Sequence, residues 1–279
     1  MAYKSIMTVV TDIEQDADAL KAAIKITRAQ SGHLDVLCLG LDRTQPGFYY
    51  SGASALIIQE NLSHAQDNAQ ELQRQVEAML AKEDILWTCQ SATAQMAALN
   101  SLIAHHARLA DLVVSAKPYG EGRLRENEAI VEAALFDGHV PVMIIPDGSD
   151  FPDQIDTTII AWNESPEALR AIRSAMPFLI GSQSVDITLI NPPSHSPERS
   201  DPGGALSQML VRHGVKANVS VLAKTLTRVS EVLCRHCTDK EADLLVMGAY
   251  GHSRFREAIL GGATRNMLES SNVPVLLAH

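Results

Sequence analysis

The sequence predicts an α/β protein made of two doubly wound, parallel-sheet domains of Rossmann-like type. Short, continuously apolar segments, typical of strands buried on both faces, alternate along the chain with amphipathic helical segments. The alternation starts again after an acidic, turn-rich segment at residues 146–153. Three patterns recur in the same order in both halves: Leu34-Asp35-Val36-Leu37 as Val185-Asp186-Ile187-Thr188, Ala110-Asp111-Leu112-Val113-Val114 as Ala242-Asp243-Leu244-Leu245-Val246, and Val140-Pro141-Val142 as Val273-Pro274-Val275. We therefore expect domains at residues 1–147 and 154–279.

Apolar runs and amphipathic spacing define the elements expected in the first half. The predicted strands are residues 6–11, 34–41, 85–90, 111–115 and 140–145. The predicted helices are one that follows Asp16, then residues 59–82, 95–108 and about 128–136. Asp16 has the residue type and position of an N-cap for the first helix.

The second half repeats this order with a shorter connection between its second and third strands. The predicted strands are residues 157–161, 185–190, 215–222, 244–247 and a last one that begins at Val273. The predicted helices are one that starts at Ser165-Pro166, then residues 227–238 and 263–270. Strands that alternate with helices pair in parallel, so each half should form a doubly wound sheet.

Composition and charge exclude several classes of function. The chain has 279 residues, 46% of them hydrophobic, so each half can bury a core. A net charge of −10 and a pI near 5.4 argue against binding nucleic acid or an anionic membrane. No apolar run approaches the roughly 18 residues that span a bilayer, and the N-terminal apolar stretch is too short for a signal peptide. Four cysteines do not make a disulfide framework, so we expect a cytoplasmic protein.

Glycines follow a strand and precede a helix near the C-terminus. Gly248 directly follows the fourth predicted strand of the second half, Gly251 comes three residues later, and Gly261-Gly262 precede the last predicted helix. Glycine lets the backbone approach a ligand closely, and a helix N-terminus offers unpaired N–H groups to phosphate. The spacing is neither that of a Walker P-loop nor the Rossmann Gly-x-Gly-x-x-Gly. A connecting loop is the alternative interpretation, since such loops also use glycine.

The spacing Gly248-x2-Gly251-x9-Gly261 resembles the Gly-x2-Gly-x9-Gly-Ser/Thr nucleotide signature of the universal stress protein family. With the internal repeat, the resemblance covers essentially the whole chain, twice. The chain departs from the family at the Ser/Thr position, which is Gly262 here, with Thr264 two residues later. A backbone N–H survives that change, but the hydroxyl does not. The resemblance implies two universal-stress-type domains that form an intrachain pseudo-dimer.

The resemblance also implies an adenine-nucleotide site in the second half. The family usually has Asp after the first strand, where it helps hold the nucleoside, and Asn163 stands there instead. A turn residue beside the helix cap is the alternative for Asn163. Asn191-Pro192 falls where the family's main chain contacts adenine, and proline offers only its carbonyl. The candidate site residues are Ala161, Asn163, Asn191, Pro192, Met247, Gly248, Gly251, Gly261, Gly262 and Thr264.

The first half lacks the corresponding phosphate loop. Its first strand ends at Asp12, but Pro118 follows its fourth strand and removes a backbone donor. Where the second half has its glycine pair, the first half has Glu128, and a carboxylate there would repel phosphate. We therefore expect at most one nucleotide site per chain, in the second half.

Other clusters of polar residues in the sequence are weaker indications of a functional site. Cys234-Arg235-His236-Cys237 has the C-x-x-C spacing of metal or redox sites, but it lies within a predicted helix and has no second ligand pair, so we expect ordinary helix packing. His105-His106 is interpreted as a surface pair because adjacent helical side chains diverge. Arg254, Arg256 and Arg265 flank the glycines, either as solvated charges or as neighbours of phosphate. No Ser-His-Asp or paired-carboxylate set stands out, and we name no catalytic or metal-binding residue.

The resemblance predicts stress sensing or signalling through binding of ATP, with or without Mg²⁺. The alternatives are a scaffold without nucleotide, which acts through partner contacts, and a slow ATPase; nothing in the sequence argues for an enzyme. We expect no nucleic-acid or membrane partner, and a homodimer of tandem chains stays open. Because last strands pair across dimers in the family, we expect the last strands of the two halves to pair within this chain.

Overall fold

The computed structural model describes residues 2–43, 55–120, 122–192, 200–249 and 262–279, with side chains in the second range from residue 59 onward. The chain divides into two compact units. The first unit holds Tyr3–Ala116 and Leu124–Val140, and the second unit holds Lys117–Arg123 and Pro141–His279. The last strand of the first half therefore belongs to the second unit. The sequence-based domain limits of 1–147 and 154–279 stay a prediction.

The first unit is an α/β unit with a parallel sheet in the order β3-β2-β1-β4. Its strands are β1 Ser5–Val10, β2 His33–Asp42, β3 Leu86–Gln95 and β4 Leu112–Ala116. Its helices are α1 Ala17–Gln30, α2 Ala55–Leu80, α3 Leu99–Ala107 and α4 Arg125–Glu132, which a π-helical turn at Ala133–Asp137 continues.

The second unit repeats this strand order with two further strands. Its strands are β5 Val142–Ile145, β6 Thr157–Ala161, β7 Ser184–Ile190, β8 Ala217–Leu222, β9 Leu244–Gly248 and β10 Val275–Ala278. They lie in the order β5-β10-β9-β6-β7-β8. Its helices are α5 Pro166–Gly181, α6 Gly204–Arg212, α7 Val229–Asp239 and α8 Ala263–Ser270. The expected α/β class, with parallel doubly wound sheets, is confirmed.

Local sequence explains the elements that carry the site. Leu244, Leu245 and Val246 of β9 are completely buried, as a strand flanked by neighbours and covered on both faces requires. Helix α5 begins at Ser165, whose Oγ accepts a hydrogen bond of 3.1 Å from the N–H of Ala168, with proline at the first helical position. Within the described ranges, no helix combines the length and the apolar character needed to cross a membrane.

The boundary between β3 and α3 was predicted wrongly. Helix α3 was expected from Gln95, but the strand continues to that residue and the helix begins at Leu99. Residues 91–95 are mostly polar and small, so they give no apolar strand signal. They are extended because every residue of β3 pairs with β2, from His33 with Leu86 to Asp42 with Gln95. Pairing with a neighbouring strand outweighed local propensity there.

Helix α6 was missed and the role of Asp16 was predicted wrongly. Only Leu206 and Leu210 form the larger buried side chains of α6, so its apolar stripe is too short to recognise in sequence. Asp16 does occupy the N-cap position of α1, but its carboxylate makes no cap hydrogen bond. It accepts instead from the N–H groups of Thr11 and Asp12, at 2.8 and 3.2 Å, and so closes the turn after β1.

The last strands of the two halves pair, as expected. Strand β10 runs antiparallel to β5, with Val275 opposite Ile144, Leu276 opposite Met143 and Leu277 opposite Val142. All residues of both strands are buried. Each strand thus covers an apolar edge that the other would expose, which is the usual reason for pairing two edges.

Candidate functional site

The order of strands in the second unit reverses at β6. From β6 the chain builds β7 and β8 on one side, then returns to add β9 on the other. Ligands of doubly wound sheets bind beyond the carboxyl ends of the strands at such a reversal. The register sets Ala161, the last residue of β6, between Met247 of β9 and Thr188 of β7. The candidate residues Ala161, Met247 and Gly248 are therefore brought together at one edge.

Asn163 and Asn191 both lie beyond strands at this edge, and the oxygen of each side chain is held in a turn. The Oδ1 atom of Asn163, an exposed residue, accepts from the N–H of Ser165 at 3.2 Å. Asn191 has a positive φ of 45°, and its Oδ1 atom accepts from the N–H of Lys224 at 3.0 Å. The turn role considered for Asn163 is thus present. An amide group that accepts through its oxygen can still donate through its nitrogen, so both residues retain a donor for a ligand.

Gly248 has a packing reason to be glycine. A Cβ atom added there would lie 2.5 Å from the N atom of Ala168 and 2.8 Å from the carbonyl carbon of Glu167, both in the first turn of α5. The end of β9 therefore approaches α5 more closely than any side chain permits. Sequence reasoning considered only a ligand or a connecting loop for Gly248, because the contact with α5 is not visible in the spacing of glycines.

Helix α8 begins where the glycine signature ends. Gly262 is its N-cap residue, and Thr264, Met267 and Leu268 are buried on its inner face. Of the other candidates, Pro192 follows β7 and is half-buried. Gly251 and Gly261 lie outside the described residues, and so do Arg254 and Arg256.

Trp162, which sequence reasoning missed, stands between the candidates Ala161 and Asn163. Its backbone N–H donates to the carbonyl of Thr188 at 2.9 Å, which extends the pairing of β6 with β7. Its indole Nε1 atom is buried and has no hydrogen-bond acceptor among the described residues. Leaving such a donor unpaired costs about 1–3 kcal/mol.

The first unit uses the matching positions differently. The Oδ1 atom of Asp12 accepts from the N–H groups of Glu14 and Gln15, at 2.9 and 3.0 Å, so this carboxylate closes a local turn. The first turn of α4 carries two carboxylates, Glu126 and Glu128. Glu126 is buried and pairs with the Nε atom of Arg43 at 2.7 Å. Negative charge at this helix start disfavours phosphate.

The Cys234–Cys237 segment is part of the packing of α7. The Sγ atom of Cys234 lies 3.7 Å from the Sδ atom of Met267 on α8, whereas the His236 ring reaches the Asp186 carboxylate at 2.7 Å. Burial raises the pKa of the Cys237 thiol to about 12. These side chains contact different neighbours, and no metal-binding group of three such residues occurs in the described part of the chain.

Ser220, Asp186 and His236 come together without forming a catalytic triad. The hydroxyl of Ser220 donates to the Oδ2 atom of Asp186 at 2.9 Å, and the His236 Nε2 atom contacts the same oxygen. A triad needs the imidazole against the hydroxyl, with the carboxylate behind it. Here the carboxylate lies between them, so His236 cannot take the proton of Ser220. The set holds α7 and β8 against β7.

Residues 155–279, which include this strand edge and α8, match the universal stress protein family. These residues make up slightly less than half of the chain, so the match shows that the second half is similar to this family. A universal stress protein of Synechocystis sp. is 30% identical over 98 residues, which cover 35% of this chain. The match spans 33% of that relative's own length, about a third of it.

Solved structures of the family share the fold along nearly the whole chain. A universal stress protein from Archaeoglobus fulgidus has a TM-score of 0.71 at 17% identity, over 98% of this chain and 95% of its own. A universal-stress-type protein from Pseudomonas aeruginosa has a TM-score of 0.61 at 14% identity, over 99% of this chain and 93% of its own. A universal stress protein solved in complex with cAMP is 20% identical and covers 45% of this chain with a TM-score of 0.36; the cAMP belongs to that protein.

Proposed function

We propose that the second unit binds ATP at the carboxyl edge of β6 and β9, and that the chain acts in a stress response by binding the nucleotide rather than by turning it over. The observation that supports this most is the reversal of strand order at β6, which sets the ends of β6 and β9 side by side. The family's glycine signature starts at the end of β9, and the match of residues 155–279 to that family supports the same ligand.

Each end of the nucleotide has candidate partners at this edge. For the nucleoside they are the Trp162 indole N–H, the Asn163 amide and the carbonyl groups of Asn191 and Pro192. For the phosphates they are the backbone N–H groups that begin α8 at Gly262, because a helix N-terminus favours negative charge. By sequence, the backbone of Gly251 and Gly261 adds donors to this group. Mg²⁺, when bound, would neutralise part of the phosphate charge.

Two other functions make different predictions. A scaffold that acts through partner proteins would bind no ATP, and a slow ATPase would release phosphate continuously. We propose a cytoplasmic setting because the four cysteines are free thiols. Whether two chains associate, and with which partner proteins, is part of the same proposal and open to experiment.

Titration calorimetry with ATP tests the proposal directly. We expect one site per chain, because the first unit has carboxylates where phosphate would bind. Mass spectrometry of small molecules released from the denatured protein should identify the bound nucleotide, and a phosphate-release assay should stay at background. If the protein bound no ATP, the scaffold function would be favoured instead. If phosphate were released steadily, the ATPase function would be favoured.

The glycines provide a sharper test of the phosphate contacts. Hydrogen bonds to a charged group contribute about 1.5–3 kcal/mol each. A Gly251→Val, Gly261→Val double variant should therefore weaken ATP binding by roughly a hundredfold to ten-thousandfold. Adenosine binding should change much less, since adenosine has no phosphate, and the melting temperature should stay close to that of the wild type. Unchanged ATP affinity in the folded variant would mean that these glycines only turn the chain.

A further inference from the structure

A lysine from the loop after β4 caps the carboxyl end of α8. The Nζ atom of Lys117 donates to the carbonyl of Glu269 at 2.9 Å and to that of Ser271 at 3.3 Å. The last carbonyls of a helix lack partners within it, and a cation beside them is favourable. Helix α8 has no basic residue in its own last turn. Its cap therefore comes from a residue about 150 positions earlier, which belongs to the same compact unit.

The same loop also contacts a side chain that originates in the first turn of α8. Tyr119 is only 7% exposed, and the guanidinium carbon of Arg265 lies 4.8 Å from the centroid of its ring. This distance is within the range of a cation–π contact. The Nε atom of Arg265 also donates to the Glu269 carboxylate, one helical turn later, at 2.9 Å. Arg265 is the third residue of α8, so Lys117 contacts the backbone of the last turn and Tyr119 contacts a side chain that originates in the first turn.

From these contacts we propose that the loop at residues 117–120, which follows β4 in the first half of the sequence, positions α8 for the nucleotide phosphates. This inference rests on the proposed ATP site. A short helix held by one contact can pivot, whereas two contacts, one to the backbone of its last turn and one to a side chain of its first turn, restrict the direction of its axis and of its N-terminal N–H groups. Lys117 and Tyr119 are thus positioning residues. This loop follows the fourth strand of the first half, as the glycine segment follows the fourth strand of the second half. Its contacts given above are with α8.

The tests use the full chain with single substitutions. Lys117→Met keeps the apolar stem of the side chain and removes its donors, and Lys117→Arg restores donors. Tyr119→Leu keeps an apolar side chain and removes the aromatic face. Lys240→Met is the matched control, because Lys240 is an exposed lysine at the end of α7.

Hydrogen exchange of the α8 amides reports how readily the helix opens locally, and it needs no ligand. We expect faster exchange in Lys117→Met and Tyr119→Leu, and wild-type exchange in Lys117→Arg and Lys240→Met. Calorimetry should show that Lys117→Met weakens ATP binding about two- to tenfold, in line with the effect of one cation at a helix end. Adenosine affinity should not change. A general loss of stability would instead weaken the binding of both ligands. The ratio of the ATP and adenosine affinities therefore separates a positioning effect from a folding effect.

Two results would overturn this inference. One is that the α8 amides of Lys117→Met exchange at the wild-type rate. The other is that Lys117→Met binds ATP as tightly as a wild type that does bind ATP. A wild type that binds no ATP would instead overturn the proposed function, and with it the ligand role given to the loop. The exchange data would then still decide whether the loop holds α8. Failure of the site and failure of the positioning contact are therefore distinguishable.

Discussion

The indole N–H of Trp162 gives the most direct residue-scale test of the proposed ligand. Its Nε1 atom is buried at the end of β6, with no acceptor among the described residues. A neutral hydrogen bond contributes about 0.5–1.5 kcal/mol, so Trp162→Phe should weaken ATP binding by roughly two- to tenfold. Stability should not fall, because an unpaired buried donor is removed. Titration calorimetry and urea unfolding of the variant measure the two effects.

Trp87→Phe is the matched control, since Trp87, the other tryptophan of the chain, lies on β3 in the first unit. ATP should quench the fluorescence of the wild type and of Trp87→Phe, but not that of Trp162→Phe. Full ATP affinity in Trp162→Phe would contradict a hydrogen bond from the indole to the ligand.

Cys38 and Cys89 form a pair of thiols with unequal reactivity. Their Sγ atoms are 3.6 Å apart. The hydrogen bond between them lowers the pKa of Cys89, whereas the same contact, together with burial, raises the pKa of Cys38. A lower pKa gives more thiolate at a fixed pH, and the thiolate is the nucleophile. At pH 8, Cys89 should react with iodoacetamide at least about tenfold faster than Cys38.

Peptide mass spectrometry over a time course measures these rates. Cys38→Ala removes the hydrogen-bond partner of Cys89, so the pKa of Cys89 should rise and its alkylation should slow. Cys237, whose pKa burial raises to about 12, is the slow internal reference. Equal rates at Cys38 and Cys89 would contradict these opposite pKa shifts.

At the scale of elements, the contact between β9 and α5 tests what Gly248 does. An added Cβ atom would come within 2.5 Å of a backbone nitrogen in the first turn of α5, and backbone atoms cannot move aside cheaply. Overpacking of this kind costs about 1–3 kcal/mol, so Gly248→Ala should lower the free energy of unfolding by that amount. Urea unfolding followed by circular dichroism measures the loss.

Gly181→Ala is the matched control because Gly181 ends the same helix, and a Cβ atom there would meet no described atom within 4 Å. Alanine is favoured over glycine in helices by about 0.5–1 kcal/mol, so this variant should be as stable as the wild type or slightly more so. If Gly248→Ala unfolds at the wild-type urea concentration, the close contact with α5 does not explain this glycine.

At the scale of the whole molecule, β5 is a strand from the first half of the sequence that lies in the second unit. Met143 is fully buried and lies opposite Leu276. Met143→Asp would leave a carboxylate in this apolar pairing, and an uncompensated buried charge costs about 3–5 kcal/mol. We expect that loss in urea unfolding, with faster hydrogen exchange along β10. Val221→Asp, at an exposed position on β8, should be near neutral, and equal effects of both variants would contradict the role of β5.

The parts of the site that could be predicted are those that a local pattern encodes. The limits of α8 follow from glycines before it and a buried stripe within it, and Ser165-Pro166 marks the start of α5. The residues after β6 were located because an apolar run ends there. Trp162 lay among them unnoticed, because nothing in the sequence indicates that its indole lacks an acceptor.

By itself the sequence determined the fold class, the repeat and where the strands end, because apolar periodicity and turn residues act over a few neighbouring positions. Only the tertiary structure decided which strand ends are adjacent, that Gly248 packs on α5, and that Lys117 caps α8. These contacts join residues about 80 to 150 positions apart. Their energy depends on distances that arise only when the chain is folded, so no local pattern in the sequence records them.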